Sequence, residues 1–320
     1  MSVDAFDEFA LTSCDGALLA CYVLLPEGAP RAVVQISHGM AEHATRYVRL
    51  AQFLLKKGYA VYAHDHRGHG KTSAGDMQGH FADTDGIKKA VADIRIVATY
   101  IHDAFPDVPH VLFGHSMGSF LARKYAAEFG DSLSGLIISG TGGDPGVKGF
   151  LARCIARADR IFYGARTLSP QMDKLLFGNF NRAFFPNRTA FDWLSRDNQE
   201  VDDYINDPLC GFICTTQFYA DLLSLVSDVS RIQTIERVPR SLPVLFISGD
   251  RDPVGNNGKG VTTIYARFKK TGVNDVTLHL YPSARHELTN EINRHEIFQD
   301  IAAWLDVHIS TTNKKGPYYA

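Results

Sequence analysis

The residues with the clearest chemical potential are five consecutive ones, Gly114-His115-Ser116-Met117-Gly118. An apolar run, Val111-Leu112-Phe113, precedes them and a helical pattern follows from Phe120 to Ala127, so the serine is expected at a strand-to-helix turn. A serine hydroxyl is a weak nucleophile, so it needs a base within reach and backbone N–H groups for the oxyanion that forms. The flanking glycines leave room for a tight turn. The pattern predicts a nucleophile elbow, although Gly-x-Ser-x-Gly alone also occurs in turns without a catalytic role.

Partners for Ser116 are found in two later loops. His286 follows the apolar run Val276–Leu280, and Asp250 and Asp252 follow the apolar run Val244–Ile247. A histidine in such a loop can act as the general base, and an acid in the earlier loop can orient it. Either aspartate can also be a simple turn former, because aspartate is favoured in turns. The order Ser, Asp, His along the chain is that of α/β-hydrolases.

The elements that must position these residues alternate between strand and helix patterns. Strand patterns are found at Leu18–Leu25, Ala32–Ile36, Tyr59–Ala63, Val111–Phe113, Leu136–Ile138, Val244–Ile247 and Val276–Leu280. Helical patterns are found at Thr45–Lys57, Ile87–Phe105, Phe120–Ala127, Val261–Lys270 and Arg294–His308. This alternation predicts an α/β fold, with a mainly parallel central sheet and helices on both faces.

One region interrupts the alternation. Residues 144–240 show helical patterns, many aromatic residues and no convincing pair of strands. We therefore predict a first core segment at 1–143, an inserted helical cap at 144–240, a second core segment at 241–310 and a polar tail at 311–320. The cap has as many basic as acidic residues, so its charge does not indicate a charged substrate. Its aromatic residues are expected to pack in the core rather than contact substrate; they include Phe184, Phe185, Phe191 and Trp193.

Composition restricts the class of protein further. Hydrophobic residues make up 45% and charged residues 21% of the 320 residues, as in ordinary globular proteins. The formal net charge of −2 gives no reason to expect a nucleic-acid partner. The five cysteines are scattered, without a Cys-x-x-Cys pair, and are expected to be reduced. We see neither a secretion signal nor an apolar run long enough to span a bilayer, which predicts a cytoplasmic protein. Oligomeric state has no signal in the sequence.

The chain resembles the monoacylglycerol lipase and lysophospholipase branch of the α/β-hydrolases, also called the serine aminopeptidase S33-like hydrolases. The resemblance is carried by His38–His43 with Arg46-Tyr47, by His64–Ser73, by the elbow and by the two late loops. It implies that the acid is Asp252 and not Asp250, and that the base is His286. It places the oxyanion hole at the backbone N–H groups of Met40 and Met117. It implies a small-molecule ester substrate, a lipid such as a monoacylglycerol or lysophospholipid, and no cofactor.

Three other interpretations remain open at this stage. The chain could be a short-chain carboxylesterase or an aminopeptidase of the same fold, or a binding protein that has lost catalysis. The presence of all three triad members argues against the last.

The histidines at positions 64, 66 and 69 could bind a metal, but they belong to a glycine-rich turn that the family keeps without metal. We therefore expect hydrogen bonding to the backbone there and no metal site.

A basic amphipathic pattern within residues 150–166 suggests a further role for the cap. Its apolar members recur at helical spacing and its arginines fall largely off that stripe: Leu151, Ile155, Ala158 and Phe162 against Arg153, Arg157 and Arg160. Such a helix can lie in a lipid interface and give peripheral membrane contact. We expect the more common arrangement, in which the stripe packs the cap onto the core while the arginines face water. The two arrangements differ in the exposure of the stripe.

Overall fold

The computed structural model describes residues 6–73, 77–144 and 146–309, so the predicted polar tail lies outside the described residues. A single eight-stranded sheet crosses the centre of the described part. Its strands are β1 Asp7–Thr12, β2 Leu18–Leu24, β3 Val33–Ser37, β4 Ala60–His64, β5 His110–His115, β6 Gly135–Ser139, β7 Val244–Gly249 and β8 Val276–Tyr281. Their spatial order is β1-β2-β4-β3-β5-β6-β7-β8. All pairs are parallel except β1–β2 and β2–β4.

Hydrophobic burial explains why the central strands form. Every residue of β3, β4, β5, β6 and β7 is buried, as expected for parallel strands that are covered on both faces. The predicted α/β architecture with a mainly parallel sheet is therefore confirmed. The sequence analysis identified no strand before Leu18, whereas β1 pairs with β2 at the sheet edge. Strand β1 is half-exposed and begins with Asp7 and Glu8, so its apolar pattern is weak.

The described part of the chain forms ten α-helices, which connect the strands and cover the sheet. They are α1 Val48–Lys56, α2 Gly86–Ala104, α3 Met117–Phe129, α4 Gly146–Tyr163, α5 Pro170–Phe177, α6 Asn198–Asn206, α7 Thr216–Val229, α8 Ile232–Ile235, α9 Lys259–Lys270 and α10 Arg294–His308. Helices α1 and α10 pack on one face of the sheet, through residues such as Leu50 and Ile301. Helices α2, α3, α7 and α9 contribute to the cluster on the other face, through residues such as Ile94 and Ile264. The core is thus two apolar layers separated by the sheet.

The region between β6 and β7 contains helices α4 to α8. Within the described residues its β structure is one isolated antiparallel bridge, between Leu168 and Thr215. Met172 and two residues of α4, Ala152 and Ala156, join the same apolar cluster as α3 and α9, so these helices rest on the core. The predicted division into core and cap stays a proposal, and we use the word cap for residues 144–240.

Helix α4 does not pack as the commoner arrangement predicts. Its buried residues are Ala152 and Ala156, whereas Leu151, Ile155 and Phe162 are exposed. The expectation that the apolar stripe packs the cap onto the core was therefore wrong. Small alanines allow α4 to approach α7 closely, so the larger side chains are left on the outer surface. None of the helices in the described residues combines the length and the apolarity that a membrane crossing requires.

Candidate active site

Ser116 lies at the turn between β5 and α3, at the carboxyl edge of the sheet. Its backbone has φ 52° and ψ −118°, a conformation that is unusual for a residue with a side chain. Its N–H donates to the Ser139 carbonyl at 2.9 Å, which joins the turn to β6. A Cβ atom on Gly118 would lie 2.0 Å from the Ser37 carbonyl oxygen, and one on Gly114 would lie 2.5 Å from the Gly118 oxygen. The two glycines are therefore needed for the close packing of this turn.

His286 and Asp252 form a buried pair beyond the ends of β8 and β7. Nδ1 of His286 lies 2.9 Å from Oδ2 of Asp252, and the Val254 N–H donates to the other carboxylate oxygen at 2.8 Å. Burial alone would lower the pKa of His286, but the adjacent Asp252 carboxylate raises it above the usual value. Such a pair holds the imidazole in one orientation and leaves Nε2 available for a reacting group.

The neighbouring carboxylate is placed differently. Asp250 accepts a hydrogen bond from the Ser283 N–H at 2.7 Å and is partly exposed to solvent. Its role in the described contacts is to hold the loop after β8, whereas Asp252 contacts the histidine itself. Because the carboxyl ends of parallel strands meet at one edge, β5, β7 and β8 bring Ser116, Asp252 and His286 to the same part of the molecule.

The backbone N–H groups of Met40 and Met117 lie beside the serine. A Cβ atom on Gly39 would lie 3.3 Å from the Ser116 Cβ, so the turn that contains Met40 directly adjoins the nucleophile elbow. Met117 is the first residue of α3, where helix N–H groups lack partners within the helix. Among the described residues, no protein acceptor is bonded to either N–H. Two unpaired donors beside a serine are what an oxyanion hole requires.

Ser116 and His286 open onto a cavity of about 540 Å³ between the core and residues 144–240. Most of its wall is apolar and comes from both regions, including Met40, Phe120, Leu176, Phe177, Phe180, Phe212, Leu222, Leu223 and Val226. Phe191 and Trp193 pack against a small buried cluster, as predicted, but they also line the cavity. Phe185 is exposed, so for this residue the prediction of core packing was wrong. Phe184 contacts the guanidinium of Arg285. Sequence periodicity identified apolar positions without indicating which of them face a cavity.

The charges that line this cavity are all acidic. Within the described residues the charged lining side chains are Glu42, Asp173 and Glu287, and the lining contains neither lysine nor arginine. Burial raises the pKa of Asp173, whose carboxylate accepts a hydrogen bond from the Tyr219 hydroxyl at 3.0 Å. Neither Asp173 nor Glu287 was singled out by sequence analysis. Their positions in the sequence gave no indication of a shared site, since only the fold brings them to one wall of the cavity.

The histidine cluster of the glycine-rich turn is fully buried. His66 Nε2 lies 2.8 Å from the Ser37 hydroxyl, and the His66 N–H donates to His38 Nε2 at 2.9 Å. The rings of His64 and His66 are in edge contact, with centroids 4.8 Å apart. Burial lowers the pKa of His64 and of His69 to about 4, so both are neutral at pH 7. The cluster thus packs as uncharged rings beneath the site.

Another group of side chains has donor atoms suited to a metal. Potential ligand atoms of His43, Asp207 and Cys210 lie within 4.8 Å of one another. The Asp207 carboxylate is already bonded to His43 at 2.8 Å, and the other ring nitrogen of His43 contacts the Thr45 hydroxyl at 2.8 Å. Burial raises the pKa of the Cys210 thiol, which disfavours the thiolate that binds metals. The contact between His43 and Asp207 is therefore a hydrogen-bonded link between core and cap.

Comparisons with known proteins agree with this arrangement. The family model described as serine aminopeptidase, S33 matches residues 28–293. The monoglyceride lipase of Rattus norvegicus is 31% identical over 313 residues, which is 95% of this chain and 92% of the lipase. The monoacylglycerol lipase of Mycolicibacterium smegmatis is 27% identical, over 94% of this chain and 98% of its own. Among solved structures, a thermostable carboxyl esterase from Bacillus coagulans in complex with glycerol has a TM-score of 0.88 and 31% identity, over 95% of this chain and 99% of that one.

Proposed function

The chain belongs to the serine aminopeptidase S33 family of α/β-hydrolases, and from this membership we propose that it hydrolyses the ester bond of monoacylglycerols. It is a serine hydrolase that acts on carboxylic esters. One observation carries the proposal for this chain's own residues. Ser116, in its unusual backbone conformation, and His286, which is paired with the buried Asp252, open onto one large apolar cavity.

In the first step, the Ser116 hydroxyl attacks the ester carbonyl carbon while Nε2 of His286 takes its proton. Asp252 holds the imidazole by its Nδ1 and stabilises the imidazolium that forms. The backbone N–H groups of Met40 and Met117 donate to the oxyanion of the tetrahedral intermediate. The intermediate then collapses, the imidazolium protonates the leaving alcohol, and an acyl-serine remains.

In the second step, water replaces the alcohol. His286 takes a proton from the water as it attacks the acyl-serine, and a second tetrahedral intermediate forms at the same oxyanion donors. Collapse of this intermediate releases the fatty acid and returns the proton to Ser116. The raised pKa of His286 matches the task, because the imidazole must both accept and release a proton near neutral pH.

The lining of the cavity favours an uncharged monoacyl ester as the substrate over an ester that carries phosphate. Its apolar wall suits an acyl chain, and its volume is within the range of small-ligand pockets. A phosphate on the alcohol group would meet no lysine or arginine in the described lining. It would meet Asp173, and also Glu42 and Glu287, two carboxylates that share one cation behind the wall. Repulsion between like charges is strengthened where water is excluded. The same absence of lining cations among the described residues disfavours lysophospholipids as substrates.

A matched substrate panel tests this proposal. It compares kcat/KM for a monoacylglycerol and a lysophosphatidic acid with the same acyl chain, together with p-nitrophenyl esters and an aminoacyl amide. We expect the monoacylglycerol to exceed lysophosphatidic acid by at least about tenfold, as one close charge repulsion would produce. Equal rates for these two would contradict the electrostatic argument. Faster cleavage of the amide would favour the aminopeptidase alternative.

We also propose that the cap contacts membranes through the outer face of α4. Exposed apolar side chains there include Val147, Phe150, Leu151, Ile155, Ile161 and Phe162. Arg153, which lies over the Phe150 ring, and Arg157 supply positive charge on the same helix for anionic headgroups. An amphipathic helix of this composition lies in the interface with its apolar side in the acyl boundary. A monoacyl substrate could then enter the cavity from the bilayer.

Co-sedimentation with liposomes tests the membrane contact. The wild type is compared with an Arg153→Glu/Arg157→Glu variant on anionic and on neutral vesicles at low salt. Arg160 is left unchanged because it is bonded to Gln217 of α7. We expect the wild type to bind anionic vesicles and the variant to lose about 2 kcal/mol or more of binding free energy, since each basic residue contributes about 1 kcal/mol. No wild-type binding, or equal binding by both proteins, would refute the contact.

A further inference from the structure

A buried ion bridge joins the two loops that carry the proposed oxyanion hole and general base. The guanidinium of Arg46 donates to both oxygens of Glu287, at 2.6 and 2.8 Å, and to Glu42 at 2.8 Å. All three side chains are at least nine-tenths buried. We call these three residues the ion bridge. Arg46 was noted in the sequence for its place in a motif, and the proposed mechanism gives none of the three a role.

One end of the bridge holds the oxyanion turn. An oxygen of the Glu42 carboxylate accepts the Gly39 N–H at 2.5 Å and the Tyr47 hydroxyl at 2.8 Å. Gly39 precedes Met40, whose N–H is a proposed oxyanion donor, and the turn continues through Ala41 at φ 52°. A strained turn keeps its shape only when its surroundings fix it. The carboxylate of Glu42 therefore fixes the peptide next to the donor.

The other end of the bridge holds the general base. Glu287 directly follows His286, and its N–H donates to the Leu194 carbonyl at 2.7 Å. The Asn290 side chain donates to the Glu287 carboxylate at 2.9 Å. The carboxylate is thereby fixed from two sides, by Asn290 and by Arg46. A displacement of Glu287 would be transmitted to His286 through one peptide bond.

The cap also reaches this bridge. The Tyr204 ring of α6 lies under the Arg46 guanidinium, 4.9 Å from its central carbon. Its hydroxyl donates to the Ala41 carbonyl at 3.0 Å, and the Gly211 N–H donates to the same oxygen at 2.9 Å. The oxyanion turn is thus held by Glu42 on one side and by two groups of the cap on the other.

The charges of the bridge are unequally compensated. Burial would raise the pKa of Glu287, but the bidentate contact with Arg46 outweighs burial and lowers it to about 2. Burial also raises the pKa of Glu42, and its single contact with Arg46 only partly opposes this effect. One guanidinium between two buried carboxylates is costly to build, and removal of one partner of such a bridge is strongly destabilising. Three buried charges that are this costly in free energy, next to the reacting groups, indicate a functional role.

We propose that Arg46 and Glu287 are positioning residues, which hold the Met40 N–H and the His286 imidazole in register with Ser116. The proposal rests on the roles given above to Ser116, His286 and Met40. The bridge sets the distance between the oxyanion donor and the base, two groups that lie on separate loops. Glu42 and Glu287 border the cavity, but an uncharged ester forms no ion pair with them, so its binding should depend little on the bridge.

Kinetics of Arg46→Lys and Glu287→Gln test this assignment. Lysine cannot make the bidentate contact, and glutamine keeps the shape of Glu287 without its charge. We expect kcat to fall about 100-fold in each variant, as ångström-scale misplacement of reacting groups does, while KM stays within about threefold. The rate of labelling by a fluorophosphonate should fall by the same factor.

The matched control is Arg196→Lys. Arg196 also joins the cap to a buried glutamate, Glu291, with a contact of 2.8 Å, but touches neither the oxyanion turn nor His286. We expect its kcat to remain within about threefold of wild type. An equal loss of kcat in this control would show a general effect of weakening the core–cap contact and would overturn the positioning role.

The pH profile separates positioning from stability. The Glu287 carboxylate is one of the groups that raise the pKa of His286, after Asp252. Glu287→Gln should therefore move the acid limb of kcat/KM to lower pH, a change that a purely structural role would not produce. An unmoved limb together with wild-type kcat would refute the proposal.

An Arg46→Met/Glu287→Gln double variant covers the case in which the single variants fold poorly. The double variant has no unpaired Glu287 carboxylate, and Glu42, whose pKa burial already raises, can take up a proton once Arg46 is removed, so the melting temperature should recover at least in part. We expect kcat to stay reduced about 100-fold. Wild-type kcat in a stable double variant would overturn the positioning role. Ser116→Ala, assayed in parallel, would retain activity only if the proposed function itself were wrong.

Discussion

The carboxyl edge of the sheet and the outer face of α4 place their side chains in opposite ways. At the sheet edge, polar groups such as Asp252, His286 and Glu287 are buried and hydrogen-bonded to defined partners. On α4, large apolar groups such as Phe162, with 81% of its surface exposed, face outward, and only two alanines are buried. Each arrangement is costly by itself, since buried polar groups lose hydration and exposed apolar groups order water.

The difference indicates that the sheet edge and the outer face of α4 serve separate functions. Buried polar groups are held by several bonds each, which suits chemistry that depends on fixed distances. Exposed apolar groups gain nothing in the isolated molecule and become favourable only when another apolar phase covers them. The core therefore fits the reacting groups, and the cap fits contact with a lipid phase. The predictions below test this contrast, beginning with the largest expected effect.

Removal of the proposed nucleophile should have the largest effect on activity. Ser116→Ala should lower kcat by about 10⁴-fold to 10⁶-fold, because the acyl-enzyme path is lost. Hydrolysis of a p-nitrophenyl ester and labelling by a fluorophosphonate measure this loss, and circular dichroism checks the fold. Turnover like that of the wild type would end the assignment of Ser116.

The two neighbouring aspartates provide an internal comparison. Asp252→Asn should lower kcat by about 10⁴-fold, because the amide cannot hold the same imidazole tautomer or stabilise its charged form. Asp250→Asn should change kcat by less than about tenfold, because Asp250 bonds the Ser283 N–H and not the histidine. If the two effects were reversed, the acid would be Asp250.

Changes on α4 should leave the chemistry intact and weaken lipid contact. Leu151→Asp/Phe162→Asp should reduce partitioning onto anionic vesicles at least about 100-fold, since each side chain contributes roughly 1.5–3 kcal/mol when buried in an apolar phase. The kcat/KM for a short soluble ester should remain near that of the wild type. A parallel loss on the soluble ester would mean that these residues serve the cavity and not the membrane.

A buried core histidine far from the catalytic edge should make stability depend on pH. Burial, aided by the nearby His102, lowers the pKa of His110 to about 4. In the unfolded chain His110 therefore binds a proton below about pH 6.5, whereas in the folded chain it binds one only below about pH 4. Stability supplied by neutral His110 is complete above pH 6.5 and is lost as pH falls through that window.

Comparison with His110→Asn isolates this effect from other titrating groups. The free energy of unfolding of the wild type, relative to the variant, should fall by up to about 1.4 kcal/mol per pH unit between pH 6.5 and 4. Urea denaturation at several pH values measures the difference. A difference that stays constant with pH would show that His110 can be protonated in the folded state.

Much of the fold could be predicted because its signals are local. The strands β3 to β7 are buried on both faces, so each produces an apolar run, which in β3 is interrupted only by Gln35. Helix α10 was predicted at its observed limits, Arg294–His308. Strand β1 gave no such run, because an edge strand with one solvated face has few apolar positions. Helix α1 begins at Val48 and not at the predicted Thr45, because a 3₁₀ turn at Ala44–Tyr47 comes first.

The candidate triad could also be predicted from the sequence. Ser116 has its own motif, and Asp252 and His286 each follow a recognisable strand, so the parallel topology brings the three loops to one edge. The choice between Asp250 and Asp252 was different. It depended on family resemblance, since two acids two residues apart have the same local pattern, and their side chains point differently only after the loop folds.

What the sequence by itself determined is the alternation of strands and helices, the elbow and the order of the candidate triad, because each depends on neighbours along the chain. Tertiary structure alone decided which apolar side chains face the cavity, core or solvent, as with Trp193 and Phe162. It alone brought Arg46 to Glu287, 241 residues further along. The physical reason is that burial and charge pairing depend on distances in space. Periodicity reports only which face of a segment is apolar, and not what will cover that face.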